Sequence, residues 1–140
     1  MKKTRIVIDT NVIISALRSK RGTSYALMNQ LEELDLQPAV SVPLVMEYEK
    51  VAFLQQDLLS FSPNEIQDYI DYICRISLKQ KIHFLWRPFL RDPKDDMVLE
   101  LAVAASCRYI VTFNKKDFVR ADTFGILAIT PKEFLHILGE

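Results

Sequence analysis

A chain of 140 residues, 49% hydrophobic and 26% charged, can bury one sizeable core and has the make-up of a globular protein. Its 18 Lys and Arg balance 18 Asp and Glu, so net charge selects no partner class, although clustered acids can mask a basic rim elsewhere. No apolar run approaches the roughly 18–20 residues that cross a bilayer. The start, MKKTRIVID, has neither a long apolar stretch nor a small-residue cleavage site, so no signal peptide and a cytoplasmic location are expected. Cys74 and Cys107 lie in apolar stretches without metal-ligand spacing and read as buried, reduced thiols. There are no repeats or Gly/Ser linkers, and one domain over residues 1–140 is expected.

TRIVIDT (4–10) is a short apolar run rich in β-branched residues, which predicts a buried strand. NVIISALR (11–18) then starts a helix with Asn11 as a candidate N-cap. Gly22 precedes a second helix over 23–35, and LQPAVSV (36–42) reads as a strand. Pro43 suits the first turn of a helix over 43–56. Ser62 followed by Glu65 has capping-box spacing and opens an amphipathic helix over 62–79, with Ile66, Tyr69, Ile70, Ile73 and Ile76 on one stripe. KIHFLW (81–86) predicts a strand, 92–106 a helix, RYIVTF (108–113) and GILAIT (125–130) two strands, and 131–138 a last helix. Strands alternating with helices predict an α/β fold with a parallel sheet covered on both faces.

In such a sheet, sites form outside the carboxyl ends of the strands. Asp9 ends the first predicted strand, Glu47 lies early in the helix after AVSV, FLRDPKDD leads into another helix, and Thr112 and Asn114 follow YIV. Carboxylates cannot converge as anions in a dry pocket without a counter-charge. Mg²⁺ or Mn²⁺ supplies one and prefers oxygen ligands. The chemistry such clusters usually perform is phosphodiester hydrolysis.

Each acid also has a plainer reading. Asp9 could cap the helix that follows it. Glu47 has Leu44, Val51 and Leu54 at helical spacing, but Glu49 has apolar neighbours too, so periodicity does not separate them. Asp92 is well placed as an N-cap, with Pro93 first in the helix and Asp95 as its box partner. Asp96 lies past the cap and shares a face with Glu100, an unfavourable pair unless a cation or solvent intervenes. Asn114 and Asp117 have capping spacing as well.

IVIDTNVIISAL, SVPLVMEYEKV and DPKDDMVLELAVAASCRYIVTFNKKDF, in this order from Arg5 to about Phe118, resemble the PIN-domain family. The likeness is strongest to its branch of toxin components of bacterial type II toxin–antitoxin pairs. The resemblance implies a three-layer α/β/α sandwich with a central parallel sheet. It implies a Mg²⁺- or Mn²⁺-dependent ribonuclease, an RNA substrate, a cognate antitoxin partner and a homodimer. Asp9, Glu47 and Asp96 match the family's first three acids and are the expected catalytic and metal-binding residues. Where many relatives carry a fourth acid this chain has Asn114, which offers an amide oxygen but no charge; Asp117 and Asp92 are the further candidate ligands. Thr112 resembles a hydroxyl that hydrogen-bonds a core carboxylate, and Thr10 and Asn11 are expected to support the site.

Basic residues beside these motifs would contact the phosphate backbone: Arg18, Lys20 and Arg21 after the first helix, Arg87 and Arg91 before DPKDD, and Lys115 and Lys116 after Asn114. His83 and His136 sit in apolar contexts and read as core-edge residues rather than bases. A phosphohydrolase with Asp9 as nucleophile would need an acid where Asn11 stands. The alternatives kept open are a non-catalytic PIN-like scaffold that binds RNA or a partner, and a general RNA-processing nuclease.

Overall fold

Strands and helices alternate along the chain, and the computed structural model describes residues 3–82, 90 and 92–139. β1 (Thr4–Ile8) buries Ile6, Val7 and Ile8 in succession, as a strand covered on both faces requires. α1 (Thr10–Arg18) follows at once. Its cap is Asp9 rather than Asn11, because an Asp9 oxygen accepts the Thr10 N–H. α2 (Thr23–Asn29) ends well short of the predicted Asp35. The turns that follow it close in a Schellman arrangement: the Leu36 N–H donates to the Leu31 carbonyl at 2.9 Å and the Asp35 N–H to the Glu32 carbonyl at 3.2 Å. Asp35 takes the left-handed conformation this exit needs, with φ of 54°.

β2 (Leu36–Val40) leads into α3 (Val42–Leu54), where the Ser41 hydroxyl accepts the Leu44 N–H and Pro43 occupies the first turn. After a 3-10 turn at Gln56–Leu58 comes α4 (Pro63–Ile76). Its capping box is reciprocal: the Ser62 N–H donates to Glu65 Oε1 at 2.8 Å and the Glu65 N–H to Ser62 Oγ at 3.2 Å. Ile66, Ile70 and Ile73 are buried and Tyr69 and Ile76 pack against the same core, so the predicted stripe faces inward.

The strand expected over 81–86 differs. The pairing segment is β3 (Leu78–Lys79), earlier in the chain; residues 81 and 82 are irregular, and the rest of that expectation lies outside the described residues. α5 (Pro93–Ala104) is capped by Asp92, which accepts the Lys94 N–H at 2.9 Å. β4 (Tyr109–Val111), a 3-10 stretch over Lys115–Phe124, β5 (Leu127–Ile129) and α6 (Pro131–Gly139) complete the order. α6 opens with a second reciprocal box, between Thr130 and Glu133.

The five strands form one parallel sheet in the order β3-β2-β1-β4-β5. Right-handed crossovers put the helices that follow β1 and β2 on one face. α5 and the 3-10 stretch pack together on the other, with α5 against β1, β2 and β4, completing an α/β/α sandwich. Among the described residues Tyr48, Phe118 and Phe134 are the largest fully buried side chains. Cys107 is buried and Cys74 partly exposed, and neither is in a disulfide. Among the described residues no helix is long and apolar enough to cross a membrane.

Register decides what lies above the sheet. Ile6 pairs with Pro38 on one side and with Tyr109 on the other. Asp9, Ser41 and Thr112 each lie three residues further on, so they emerge at one level, at the carboxyl edge. β1 is also where the strand order reverses, with β2 and β4 on its two sides. An open sheet opens a crevice at that point.

Candidate active site

Asp9 is 8% exposed and held from both sides. One oxygen accepts the Thr10 N–H at 2.8 Å; the other accepts the Thr112 hydroxyl, also at 2.8 Å. The Thr112 contact follows from register, because the Asp9 N–H continues the ladder to the Val111 carbonyl. Thr112 Oγ1 in turn accepts the Asn114 N–H at 3.0 Å and meets Asn11 Nδ2 at 3.5 Å, while Asn11 Oδ1 accepts the Phe113 N–H. The loop after β4 is thereby tied to the start of α1.

α3 brings the second acid. Its Tyr48 is fully buried and donates its hydroxyl to the Ile8 carbonyl, the last of β1. That bond fixes α3 against the strand end, and the preceding residue, Glu47, meets the Thr10 hydroxyl at 2.6 Å. Glu49, which periodicity leaves equivalent to Glu47, instead accepts the Gln67 amide across the α3–α4 contact. Burial, then the nearby Asp9, holds the Tyr48 phenol well above its usual range. Tyr48 has no motif of its own; its only signal is an aromatic beside an acid.

α5 supplies the remaining acids, and here one residue of helix rotation matters. Asp92 and Asp95, three apart, face the cleft. Asp96 is turned about 100° further, is fully buried, and accepts the Leu90 N–H at 2.7 Å instead of lining the cleft. The structure therefore gathers Asp9, Glu47, Asp92, Asp95 and Asn114 around a cleft of about 700 Å³, a size ordinary for ligand sites. Asp117 lies outside the lining, yet near enough to act on Asp9 and Asp95. The capping expected of Asn114 is absent: its side chain makes no bond to the 3-10 stretch.

The electrostatics follow. Burial raises the Asp9 pKa first, Glu47 and Asp117 add to it, and the bonds from Thr112 and Thr10 oppose it. Asp95 is pushed up to about 7, by burial first and then by Asp9, Asp92 and Asp117. Among the described residues, the cations on the cleft are Arg18 and Lys94. The other expected phosphate contacts stand elsewhere: Lys20 lies 5.0 Å from the Phe61 ring, Lys115 pairs with Glu133 at 2.8 Å, and Arg21 and Lys116 are exposed away from the lining. Arg87, Arg91 and His83 lie outside the described residues, and His136 is exposed rather than at a core edge.

Among the described residues no three His, Cys, Asp or Glu side chains converge tightly enough to enclose a cation unaided. Among the described residues the donors on the cleft are carboxylate, amide and hydroxyl oxygens, with no thiol or imidazole. That set fits a hard cation such as Mg²⁺, which keeps several waters and uses one or two carboxylates, rather than Zn²⁺ in a closed protein cage.

A family model described as a PIN domain matches residues 5–116. Two solved structures share the fold. One is VapBC2 from Rickettsia felis bound to a DNA fragment from their promoter, with TM-score 0.64, 14% identity, and coverage of 91% of this chain and 98% of that one. The other is VapBC-1 from nontypeable Haemophilus influenzae, with TM-score 0.61, 16% identity, and coverage of 92% and 99%. No curated protein sequence matches the chain. The family match spans most of the length and includes Asp9, Glu47, Asp95 and Thr112, so the chain belongs to the PIN-domain family.

Proposed function

We propose that this protein is a divalent-metal-dependent endoribonuclease and the toxin of a toxin–antitoxin pair. The carrying observation is the set of four carboxylates, Asp9, Glu47, Asp92 and Asp95, on one cleft at the carboxyl edge of the sheet. A phosphate chain could not enter such a cleft unless a cation offset those charges. The toxin reading is supported by the VapBC structures that share the fold. On that likeness a cognate antitoxin is proposed here, as is a homodimer.

Asp9, Glu47 and Asp95 would hold the cation partly through waters, with Asp92 and the Asn114 amide beside them. Asp95 replaces Asp96 in this set because Asp95 faces the cleft. When bound, Mg²⁺ or Mn²⁺ supplies Lewis acidity toward a phosphoryl oxygen and lowers the pKa of a coordinated water. Thr112 and the Thr10 N–H keep the Asp9 carboxylate aimed and charged. The Thr10 hydroxyl holds the Glu47 carboxylate in place, and Arg18 and Lys94 contact flanking phosphates.

The test is cleavage of a labelled single-stranded RNA by the purified protein with Mn²⁺, alongside growth of cells in which the chain is induced. EDTA, Asp9→Asn and Asp95→Asn should each abolish cleavage, and both variants should relieve growth arrest. Asp96→Asn should retain cleavage if it folds, as checked by circular dichroism. Full metal-dependent activity in folded Asp9→Asn overturns the reading; loss in Asp96→Asn with retention in Asp95→Asn overturns the choice of Asp95.

A further inference from the structure

Among the described residues, Phe113 is the one exposed large apolar side chain that lines the acid cleft. A single exposed ring on a protein surface needs no special account. This one differs in its mounting. It is 44% exposed, yet its own N–H donates to Asn11 Oδ1 at 3.4 Å. The residue before it donates its hydroxyl to Asp9, and the residue after it donates its N–H to that same hydroxyl oxygen. The ring is therefore presented from a segment tied down on both sides, beside the most buried cleft-lining acid. The cleft continues from there between α1 and α3, past Ile14 and Val51, to Arg18 in the last turn of α1. Eight residues separate Thr10 from Arg18, so the guanidinium stems from a point about 12 Å along the helix from its start.

An aromatic face, a partly apolar wall and a cation in line are the elements by which proteins hold single-stranded nucleic acid: bases stack on rings and phosphates meet Arg or Lys. A base inside a duplex has both faces covered by its neighbours and cannot use such a ring, so sequence-reading and stacking contacts to RNA go to unpaired segments. Resting on the nuclease reading above, we propose that Phe113 is a stacking platform for an unpaired base next to the scissile phosphate, with Arg18 contacting a phosphate further along the same cleft.

The test uses the full chain with Ca²⁺ in place of Mg²⁺ and a short single-stranded RNA carrying 2-aminopurine, whose fluorescence falls on stacking. The same strand annealed to its complement is the second probe. Wild type should bind the single strand with quenching and the duplex more weakly. Phe113→Ala should weaken single-strand binding about 5- to 150-fold and abolish the quench, whereas Phe113→Tyr should keep both. Arg18→Gln should weaken binding and lessen its salt dependence but retain the quench. Equal affinity and equal quench in Phe113→Ala, or a duplex bound as tightly as the single strand, overturns the stacking proposal alone. Absence of any RNA binding or Mn²⁺-dependent cleavage by wild type overturns the nuclease reading and the proposal with it.

Discussion

Asp9 serves two ends with its two oxygens. One caps α1 through the Thr10 N–H; the other takes the Thr112 hydroxyl from the neighbouring strand end. Capping and site roles, which the sequence sets as alternatives, are thus compatible in one carboxylate. Thr112 is the more exposed to test because its hydroxyl also accepts the Asn114 N–H. Thr112→Val keeps the shape and removes the hydroxyl, leaving a buried carboxylate oxygen and an N–H without that partner. Stability should fall by about 1–3 kcal/mol in urea unfolding, and Thr112→Ser should recover most of it. A Thr112→Val protein as stable as wild type would show that the bond contributes nothing. Asp9 was legible because an acid after an apolar run is conspicuous, and Glu47 because its helix follows the next strand. That Asp95 rather than Asp96 lines the cleft is not legible, because a helix turns about 100° per residue and two adjacent acids cannot be assigned to faces without knowing which face meets the sheet edge.

Elements that announce their own ends were read well. α4 starts where Ser62 and Glu65 say it should, with both box bonds made. Ser62→Ala removes the acceptor for the Glu65 N–H at an exposed helix start. It should lower stability by about 1 kcal/mol, seen as a lower urea midpoint with an unchanged slope. No change in midpoint would mean that α4 is held by its buried stripe alone. The far end of the same helix is not legible, because Leu78 continues the apolar spacing. The helix instead stops at Ser77, whose hydroxyl turns back to the Ile73 carbonyl, and Leu78–Lys79 pairs with Ala39–Val40. A two-residue edge strand carries no local signal; it exists because β2 has an open side there. α2 is shorter than expected because Leu31 and Leu34 keep helical spacing through the turns that follow Asn29, so the apolar pattern does not mark where the helix stops.

At the scale of the whole molecule, a parallel sheet sends every strand end the same way, and four acids meet there. The total of 18 basic and 18 acidic residues hides this separation. Asp9, Glu47, Asp92 and Asp95 share a cleft on which Arg18 and Lys94 are the described cations. Like charges held together by the fold oppose it, so the proposed cation site should weaken the metal-free protein. Asp95 is where the tension can be released with least damage, because it is only partly buried and the cap of α5 is Asp92. In EDTA at pH 8 and low salt, Asp95→Asn should therefore melt a few degrees above wild type. Added Mn²⁺ should raise the wild-type melting temperature by linkage, since a ligand that binds only the folded state stabilises it. It should raise that of Asp95→Asn little, so that the order of the two proteins narrows or reverses as Mn²⁺ is titrated. Raising the salt in EDTA should shrink the difference as well, because screening weakens the repulsion that the substitution removes. An Asp95→Asn protein that melts below wild type in EDTA, or that gains as much from Mn²⁺ as wild type does, would show that the acids are not held against one another for a cation.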